Sequence, residues 1–438
     1  MKFYRSLVLT FLVAMSVYGQ NPITPPGVYI ADPSAHQWKD GKMYVYGSLD
    51  VSPRSFCSKA YDVLSSSDLK TWTLTENSFS TQGPNDQVTY SDDVLYAPDC
   101  QYRDGKYYLY YCLANDKYTE GVATSMAPTG PFINGKDIRV KGINEIDPCV
   151  FIDDDGQGYY IWGQFTAKMA KLKPNMIEID SATIKDNIVT EKEHFFHEGG
   201  YMVKRNGIYY FVYAHMGRAG RPTCIGYATS KSPMGPFKYG GVIIDNDHCD
   251  PVCWNNHGSL AQFNGKWYVF YHRSSHGSNS LRTACVEPIN FNEDGSINEV
   301  QMTTQGAGEP LKATSVIEAE RACLLYGNVR MKDLALNKTV LSEIKSNDAA
   351  GYKYIDFNTN VDSIKLNVFP GKKGLTLNVS LDDSWGPSIA RINIPENGNG
   401  EISQIISAKI KQVKGVHAVW ITFWGEDNEF KLDWFTFN

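Results

Sequence analysis

The stretch Asp104-Gly105-Lys106-Tyr107-Tyr108-Leu109-Tyr110 decides the fold, because it joins a tight turn to a strand. An Asp-Gly pair tolerates the positive φ angles of a two-residue hairpin turn, and the aromatic residues behind it favour a β-strand. The chain repeats this pattern in Asp40-Gly41-Lys-Met-Tyr-Val-Tyr, Asp155-Gly156-Gln-Gly-Tyr-Tyr-Ile, Asn206-Gly207-Ile-Tyr-Tyr-Phe-Val and Asn264-Gly265-Lys-Trp-Tyr-Val-Phe. Successive turns lie 64, 51, 51 and 58 residues apart, which is the repeat length of a propeller blade rather than of a helical solenoid.

The strands of these repeats are apolar on both faces instead of alternating, as a blade packed between two other blades requires. A second pair of similar segments, residues 123–132 and 228–237, is offset by 105 residues, close to two blades. A two-sheet sandwich is the structural alternative, but it does not explain five matching hairpins at blade spacing. We therefore predict an all-β protein with a five-bladed β-propeller over residues 21–300.

The pattern changes after the last repeat. Residues 301–314 are polar and contain glycine, as expected for a linker. Beyond them the chain shows short alternating strands, such as residues 363–369 and 375–380, which favour a β-sandwich. We predict a jelly-roll sandwich over residues 315–438.

The N-terminus has the charge and hydropathy pattern of a secretory signal. Lys2 and Arg5 precede an apolar run of roughly 12 residues, which is too short to cross a bilayer. Small residues stand just before Gln20, where a signal peptidase would cleave. We predict a signal peptide over residues 1–20, a secreted or periplasmic protein, and no membrane span.

The net charge bears on the class of partner, and the cysteine pattern bears on disulfide bonds and metal sites. The formal net charge is −6 and no basic stripe is present, which argues against a nucleic-acid partner. The nine cysteines are scattered, so they predict no disulfide framework. Cys249 and Cys253 stand near His248 and His257, but a loop disulfide or buried free thiols fit this isolated pair better than a zinc site.

An ionisable residue stands at nearly the same place before all five turns. Asp32, Asp147 and Glu198 lie eight residues before their turns, His257 lies seven before and Asp99 lies five before. Eight residues correspond to one strand length, so these side chains share one end of equivalent strands. If those strands are innermost, the groups converge on the propeller axis. A cluster of carboxylates is costly to bury, which favours a catalytic site over turn capping or a metal site.

At these positions the chain resembles glycoside hydrolase family 43, over roughly residues 24–300. The resemblance is carried by Ala31-Asp32-Pro33, Ala97-Pro98-Asp99, Ile146-Asp147-Pro148, Trp162-Gly163, His197-Glu198-Gly199 and His257-Gly258-Ser259. It implies a five-bladed propeller and an inverting mechanism whose chemistry needs no cofactor. It also implies that Asp32 is the general base, that Glu198 is the general acid, and that Asp147 orients the acid and favours its protonated form.

The same resemblance implies further site residues. Arg282 matches an arginine that contacts the sugar in relatives, with a surface position as the alternative. Trp162, Trp254 and Asp99 would line the pocket as substrate-binding residues, although Trp162 also fits a core position. His257 resembles an axial histidine that contacts a calcium ion through water, with a histidine satisfied within the core as the alternative.

The C-terminal region resembles a family 6 carbohydrate-binding module. The matching segments are Ile317-Glu318-Ala319-Glu320 and Leu432-Asp433-Trp434-Phe435. The resemblance implies a jelly roll with Glu318, Glu320 and Asp433 around a structural calcium ion, which prefers such hard oxygen ligands. The loop that usually carries an aromatic platform departs from the family, since residues 398–402 hold no aromatic side chain. Trp385, Trp424 and Asn428 remain as sugar contacts, and a purely structural appendage is the alternative.

These observations predict an exo-acting glycosidase on plant polysaccharide or oligosaccharide. An α-L-arabinofuranosidase is favoured, because residues 285–287 and 292–297 resemble family members that debranch arabinoxylan. A β-xylosidase or an exo-galactosidase is the alternative within the family, since pocket loops decide between sugars with similar hydroxyls. A non-catalytic carbohydrate-binding propeller is the alternative from another class.

Overall fold

The computed structural model describes residues 20–114, 119–138, 145–396 and 398–438. The predicted signal peptide, except Gln20, lies outside the described residues. Among the described residues the only α-helix is α1 (Glu191–His194), and there are four short 3₁₀ turns, at Gly83–Asn85, Ser181–Thr183, Arg218–Gly220 and Ala319–Arg321. The fold is therefore built almost entirely of strands.

Five antiparallel sheets follow one another along the first part of the chain, each made of consecutive strands. The first contains β1 (Tyr29–Gln37), β2 (Met43–Asp50), β3 (Ala60–Ser66) and β4 (Trp72–Ser80), and the second contains β5 (Asp99–Arg103), β6 (Lys106–Cys112), β7 (Glu120–Ser125) and β8 (Ile133–Asp137). The third contains β9 (Cys149–Ile152), β10 (Gly158–Trp162) and β11 (Lys168–Lys171). The fourth contains β12 (Phe196–Arg205), β13 (Ile208–His215), β14 (Cys224–Ser230) and β15 (Lys238–Asp245), and the fifth contains β16 (Ser259–Phe263), β17 (Lys266–Arg273) and β18 (Thr283–Ile289).

The five predicted hairpins join the first two strands of each sheet. At Asp104-Gly105 both residues have positive φ, 49° and 85°, as a type I′ turn requires. The same holds at residues 206–207 and 264–265, whereas at residues 40–41 and 155–156 only the glycine has positive φ. The repeat in the sequence is therefore a repeat of blades.

The first strand of each sheet lies innermost. β1 contacts β5 and β16, β5 contacts β9, and β12 contacts both β9 and β16, so the five first strands close a ring around one axis. The segment before β1 helps to close this ring, since Ile23 donates its backbone N–H to the carbonyl of Ala284 at 2.8 Å. The prediction of a five-bladed propeller is confirmed.

Buried tyrosines fill the space between blades. Tyr110 and Tyr210 are fully buried, and their hydroxyls donate to the carbonyls of Met176 at 2.8 Å and Gly295 at 2.7 Å. A tyrosine pairs a large apolar ring with one polar atom, so it packs between sheets and still satisfies a backbone oxygen at the blade edge. These tyrosines therefore serve the packing between blades.

The C-terminal region is a sandwich of two six-stranded sheets, which confirms that part of the predicted fold. One sheet contains β19 (Leu311–Lys312), β21 (Leu324–Tyr326), β24 (Ala349–Asp356), β26 (Leu375–Leu381), β27 (Ser388–Ile394) and β29 (Val416–Trp424). The other contains β20 (Ile317–Glu318), β22 (Arg330–Ala335), β23 (Lys338–Ser342), β25 (Ser363–Phe369), β28 (Gln404–Lys409) and β30 (Lys431–Phe437). Alternating side chains such as Ile364, Leu366 and Val368 fill the core between the sheets.

Glu287 ties the propeller to the segments on either side of it. Its carboxylate accepts hydrogen bonds from Asn21 Nδ2 at 2.9 Å and from Thr303 N and Oγ1, both at 2.7 Å. Arg273 Nη2 lies 3.6 Å from the same carboxylate, and both charged side chains are buried. One buried carboxylate thus joins the N-terminal segment, β17, β18 and the segment that leads to the sandwich.

We expect Glu287→Ala to lower the free energy of unfolding by about 3 kcal/mol, because it leaves the buried Arg273 guanidinium without its counter-charge. Urea unfolding followed by tryptophan fluorescence measures this loss. Glu299→Ala is the matched control, since its bidentate partner Arg218 is exposed, and it should cost less than about 1 kcal/mol. Equal losses in the two variants would contradict this role of Glu287.

All nine cysteines lie within the described residues and are buried as free thiols. Cys249 and Cys253 therefore form no disulfide, in keeping with the second of the two sequence alternatives. In the described ranges no helix combines the length and the apolar composition needed to cross a bilayer.

Candidate active site

Four of the predicted site residues meet at one end of the axis. Asp32 lies in β1 and Glu198 in β12, while Asp147 and His257 stand two residues before β9 and β16. His257 Nδ1 lies 3.5 Å from Asp32 Oδ1 and 3.9 Å from Asp147 Oδ2. Matched positions in the blades thus become neighbours in space.

The local backbone conformation directs the side chains of Asp32 and Asp147 toward the propeller axis. Asp32 and Asp147 have φ angles of 53° and 60°, a left-handed conformation that aspartate tolerates better than most residues. The pairing of β1 with β2 shifts register between Ala31 and Ser34, and such a bulge redirects a side chain. Each Asp-Pro pair is therefore a strained turn that holds a carboxylate toward the axis.

Asp32 is buried among positive and hydrogen-bonding partners. Ser48 Oγ donates to Oδ2 at 2.5 Å and Arg282 Nη1 donates to Oδ1 at 2.8 Å. Burial alone would raise the pKa of Asp32, but the charge of Arg282 and the hydrogen bonds of His257 and His272 hold it well below its usual value. Asp32 is therefore an ionised carboxylate throughout the neutral range.

Arg282 is fixed by two carboxylates. Besides Asp32, it binds Asp50 through Nε at 2.9 Å and through Nη2 at 3.0 Å. The side chain is only 3% exposed, so the alternative of a surface position is wrong. A planar guanidinium clamped in this way fixes the orientation of Asp32.

The pKa values of His257 and Asp147 are both raised, which favours the protonated form of each group. Burial raises the pKa of Asp147 to about 8, with the charges of Glu198 and Asp32 adding to the rise and that of His257 opposing it. Burial lowers the pKa of His257, but the Asp32 hydrogen bond and the nearby carboxylates raise it to about 9. At neutral pH a cationic imidazole thus stands among the three acids.

We expect the His257 imidazole to titrate with a midpoint near pH 9, which ¹⁵N-detected NMR of the side chain measures. Because this folded-state pKa exceeds the unfolded value of 6.5, its contribution to stability is complete below about pH 6.5 and is lost as the pH rises through 9. His215 serves as an internal control, since burial lowers its pKa to about 4. A midpoint for His257 below pH 7 would contradict the charge assigned to it.

Glu198 is held by the segment that follows β10. Gln164 Nε2 donates to Glu198 Oε2 at 2.8 Å, and the glutamate side chain keeps 13% of its surface exposed. Gly199 follows with φ of 65°, and a Cβ there would lie 2.5 Å from His257 Nε2. The Glu-Gly pair therefore lets His257 approach Glu198, whose side chain stays partly exposed.

The remaining predicted substrate contacts differ in their exposure. Trp254 is 38% exposed beside the site. Trp162 is 2% exposed and packs in the core against Tyr160, so its prediction as a pocket wall is not supported. Both oxygens of Asp99 are engaged by protein groups: Oδ1 accepts from Ser34, and its neighbour Oδ2 accepts from the backbone of the next blade.

The described residues give no separate support for calcium. No group of three or more His, Cys, Asp or Glu residues is placed to hold a metal ion within the described ranges. The contact predicted for His257 runs through water, so its imidazole would not itself be a ligand of the ion. Glu318, Glu320 and Asp433 line one cleft in the sandwich, but Lys338 Nζ lies 3.2 Å from Asp433. Calcium at either place stays a prediction.

Besides His272, which lies on β17 and contacts Asp32, three residues of the site were not predicted from the sequence. Gln164, Asp50 and Ser48 contact Glu198, Arg282 and Asp32, respectively. Gln164 directly follows the Trp162-Gly163 motif, and that adjacency was a usable signal. The other two lie on β2, where only the register with β1 brings them to the axis.

The arrangement can perform acid–base chemistry on a neutral substrate. Asp32 is held ionised and can activate a water molecule as a base. Glu198 lies on another blade, and the Gln164 amide holds one of its two carboxyl oxygens. A carboxylate held ionised and a second carboxyl group on another blade are the pair of groups that glycoside hydrolysis uses.

Comparison with known protein families gives two matches. Residues 20–297 match the model of Glycosyl hydrolases family 43, and residues 318–438 match that of the Carbohydrate binding module (family 6). The first match covers the propeller and all four axial residues.

Similar proteins of known function carry two kinds of name. A "Xylosidase/arabinosidase" of Thermoclostridium stercorarium is 30% identical over 92% of this chain and 96% of its own length. An "Arabinoxylan arabinofuranohydrolase" of Bacillus subtilis (strain 168) is 28% identical over 93% of this chain and 90% of its own. Among solved structures, a family 43 arabinoxylan arabinofuranohydrolase from Bacillus subtilis, in complex with cellotetraose, has a TM-score of 0.55 at 25% identity and covers 96% of this chain and 99% of its own.

Proposed function

Because this chain belongs to glycosyl hydrolase family 43, and is therefore a glycoside hydrolase, we propose that it is an inverting, exo-acting α-L-arabinofuranosidase on plant arabinoxylan or its oligosaccharides. The observation that supports this proposal most is the meeting of Asp32, Asp147 and Glu198 around His257. Each of these acids then has a separate task. Asp32 removes a proton from the attacking water, and Glu198 protonates the leaving oxygen. Asp147 orients Glu198.

The choice of arabinose rests on relatives that share both regions of the chain. The two relatives described above match over more than nine tenths of it, and both printed names include an arabinose-releasing activity. At this coverage, both alignments extend beyond the propeller into the C-terminal region.

A β-xylosidase is the second candidate. A "Beta-xylosidase" of Xylanibacter ruminicola is 31% identical over 63% of this chain and 98% of its own length. The axial acids would serve either sugar, because only the walls of the pocket distinguish a furanose from a pyranose.

The test is a release assay with matched substrates. Purified protein is incubated with nitrophenyl α-L-arabinofuranoside, β-D-xyloside and β-D-galactoside and with arabinoxylan, and ¹H NMR follows the anomer formed first. We expect arabinose, released with inverted configuration. Release of xylose alone would overturn the choice of sugar, retention would overturn the mechanism, and binding of arabinoxylan with no release would favour a carbohydrate-binding propeller.

Export belongs to the same proposal, because a polysaccharide substrate lies outside the cell. We propose that residues 1–20 direct secretion or periplasmic delivery and are removed. N-terminal sequencing of the exported protein should begin at Gln20 or Asn21, and an uncleaved N-terminus would contradict it.

A further inference from the structure

Three aromatic side chains form a row beside Glu198. The His197 ring stands edge-on to Phe165 at 5.3 Å between centroids and 81°, and to Trp254 at 6.2 Å and 81°. His197 itself is buried, whereas Phe165 is 50% exposed and Trp254 is 38% exposed. Two large apolar rings thus face solvent on either side of a buried imidazole, next to the acid.

The backbone around Phe165 is held in an unfavourable conformation. Gly163 has φ of 127° and Phe165 has φ of 63°, a region that a bulky residue rarely occupies. Gln164 N donates to Glu145 Oε2 at 2.8 Å and Phe165 N donates to the His197 carbonyl at 2.6 Å. Strain that the surroundings hold in this way is concentrated at functional sites. One short turn therefore places the Gln164 amide on Glu198 and leaves the Phe165 ring half exposed.

The row lies on the acid side of the site. His197 precedes Glu198 on β12, and the turn that carries Phe165 also carries the Gln164 amide bound to Glu198. On the base side a different ring, Phe56, lies 4.9 Å from the guanidinium carbon of Arg282, which in turn holds Asp32. The pocket thus has two chemically distinct walls.

General acid catalysis fixes which part of the substrate meets the acid side. In an inverting hydrolysis the acid donates its proton to the glycosidic oxygen, so the sugar that departs with that oxygen lies beyond the acid. The apolar face of a sugar ring stacks on exposed aromatic rings, and binding sites combine such rings with a few polar groups.

From this geometry we propose that Phe165, His197 and Trp254 form the subsite for the leaving-group sugar, a sugar unit of the polysaccharide backbone; this rests on the proposed glycosidase function. Phe165 and Trp254 are the stacking surfaces. His197 sets the angle between them, because its ring contacts both.

The test separates the leaving-group side from the site of the released sugar. Phe165→Ala and Trp254→Ala are each expected to lower kcat/KM on arabinoxylan oligosaccharides about tenfold, and the double variant about a hundredfold. The inhibition constant of free arabinose, which occupies only the cleaved-sugar side, is expected to stay unchanged. Phe165→Tyr keeps the ring and should retain the activity of the unaltered protein, which excludes a simple loss of folding.

Phe195→Ala is the matched control. Phe195 has φ of 61° and is 45% exposed, but its ring packs on His215 and Tyr239 instead of His197. It should leave kcat/KM unchanged. An equal loss in this control, an unchanged kcat/KM in the double variant, or a parallel weakening of arabinose inhibition would each overturn the subsite.

Failure of the proposed function would look different, since the unaltered protein would then release no sugar at all. In that case calorimetric titration with a xylo-oligosaccharide would still decide the inference. Weaker binding to the double variant than to the unaltered chain would support it, and equal binding would reject it.

Discussion

An Asp32→Asn variant is expected to lose about three orders of magnitude in kcat while it keeps its fold. Asparagine preserves the volume of the side chain and can still accept from Ser48, but it cannot take a proton from water. Asp32 is suited to this role because Arg282 and two histidines hold its pKa well below the usual value. Steady-state kinetics on an arabinofuranoside, with thermal unfolding of both proteins, measures the two quantities.

Asp50→Asn is the matched control for this experiment. Both variants leave the buried Arg282 with one carboxylate fewer, so both should destabilise the fold to a similar degree. Because Asp50 holds the guanidinium and not the water, Asp50→Asn should reduce kcat only about tenfold. Similar kcat losses in the two variants would mean that Asp32 acts through Arg282 instead of through water.

A second readout identifies Asp32 as the base rather than as a structural acid. In Asp32→Ala the removed side chain leaves room for azide, a nucleophile that needs no deprotonation. Turnover should then recover with added azide and give a glycosyl azide of inverted configuration. No azide product would argue against a base at this position.

The axial acids were predictable because the fold repeats. A carboxylate eight residues before a turn occupies the same place in every blade, so the equal spacing of Asp32, Asp147 and Glu198 predicted that they meet at one axis. Gln164 and Asp50 could not be predicted in this way, because residues that form hydrogen bonds between blades have no regular spacing in the sequence.

The sequence indicated least clearly which of the aromatic side chains near the acids are buried. Trp162 and Trp254 both stood in segments near the acids, yet one lies in the core and the other is 38% exposed. Trp162 ends β10, and the turn after β10, with Gly163 and Phe165 at positive φ, leaves Phe165 exposed instead. Such a turn has no composition signal beyond one glycine.

The charge of His257 could not be predicted from the sequence either. A lone histidine near acids fits a metal ligand as well as a cation, and only the distances to Asp32 and Asp147 favour the protonated form. With Arg282, it supplies positive charge on the base side of the pocket. That charge helps to hold the pKa of Asp32 well below its usual value.

A Glu198→Gln variant is expected to lose about a thousandfold in kcat/KM on arabinoxylan oligosaccharides, because their leaving sugar needs a proton. The replacement is close to isosteric, and the Gln164 contact can persist by rotation of one amide. The loss should therefore come from the missing proton and not from displacement of the side chain. The comparison with Gln164→Ala is informative, since that change keeps the proton and removes only the contact, so its loss should be nearer tenfold.

The leaving group decides between an acid and a merely structural glutamate. Aryl arabinofuranosides whose phenols have progressively lower pKa values need progressively less protonation. In Glu198→Gln the rate should therefore rise steeply as the phenol becomes more acidic and approach that of the unaltered enzyme for the most acidic one. The unaltered enzyme should show a much flatter dependence. If Glu198 only shaped the pocket, the variant would lose the same factor on every phenol, and general acid catalysis by Glu198 would be ruled out.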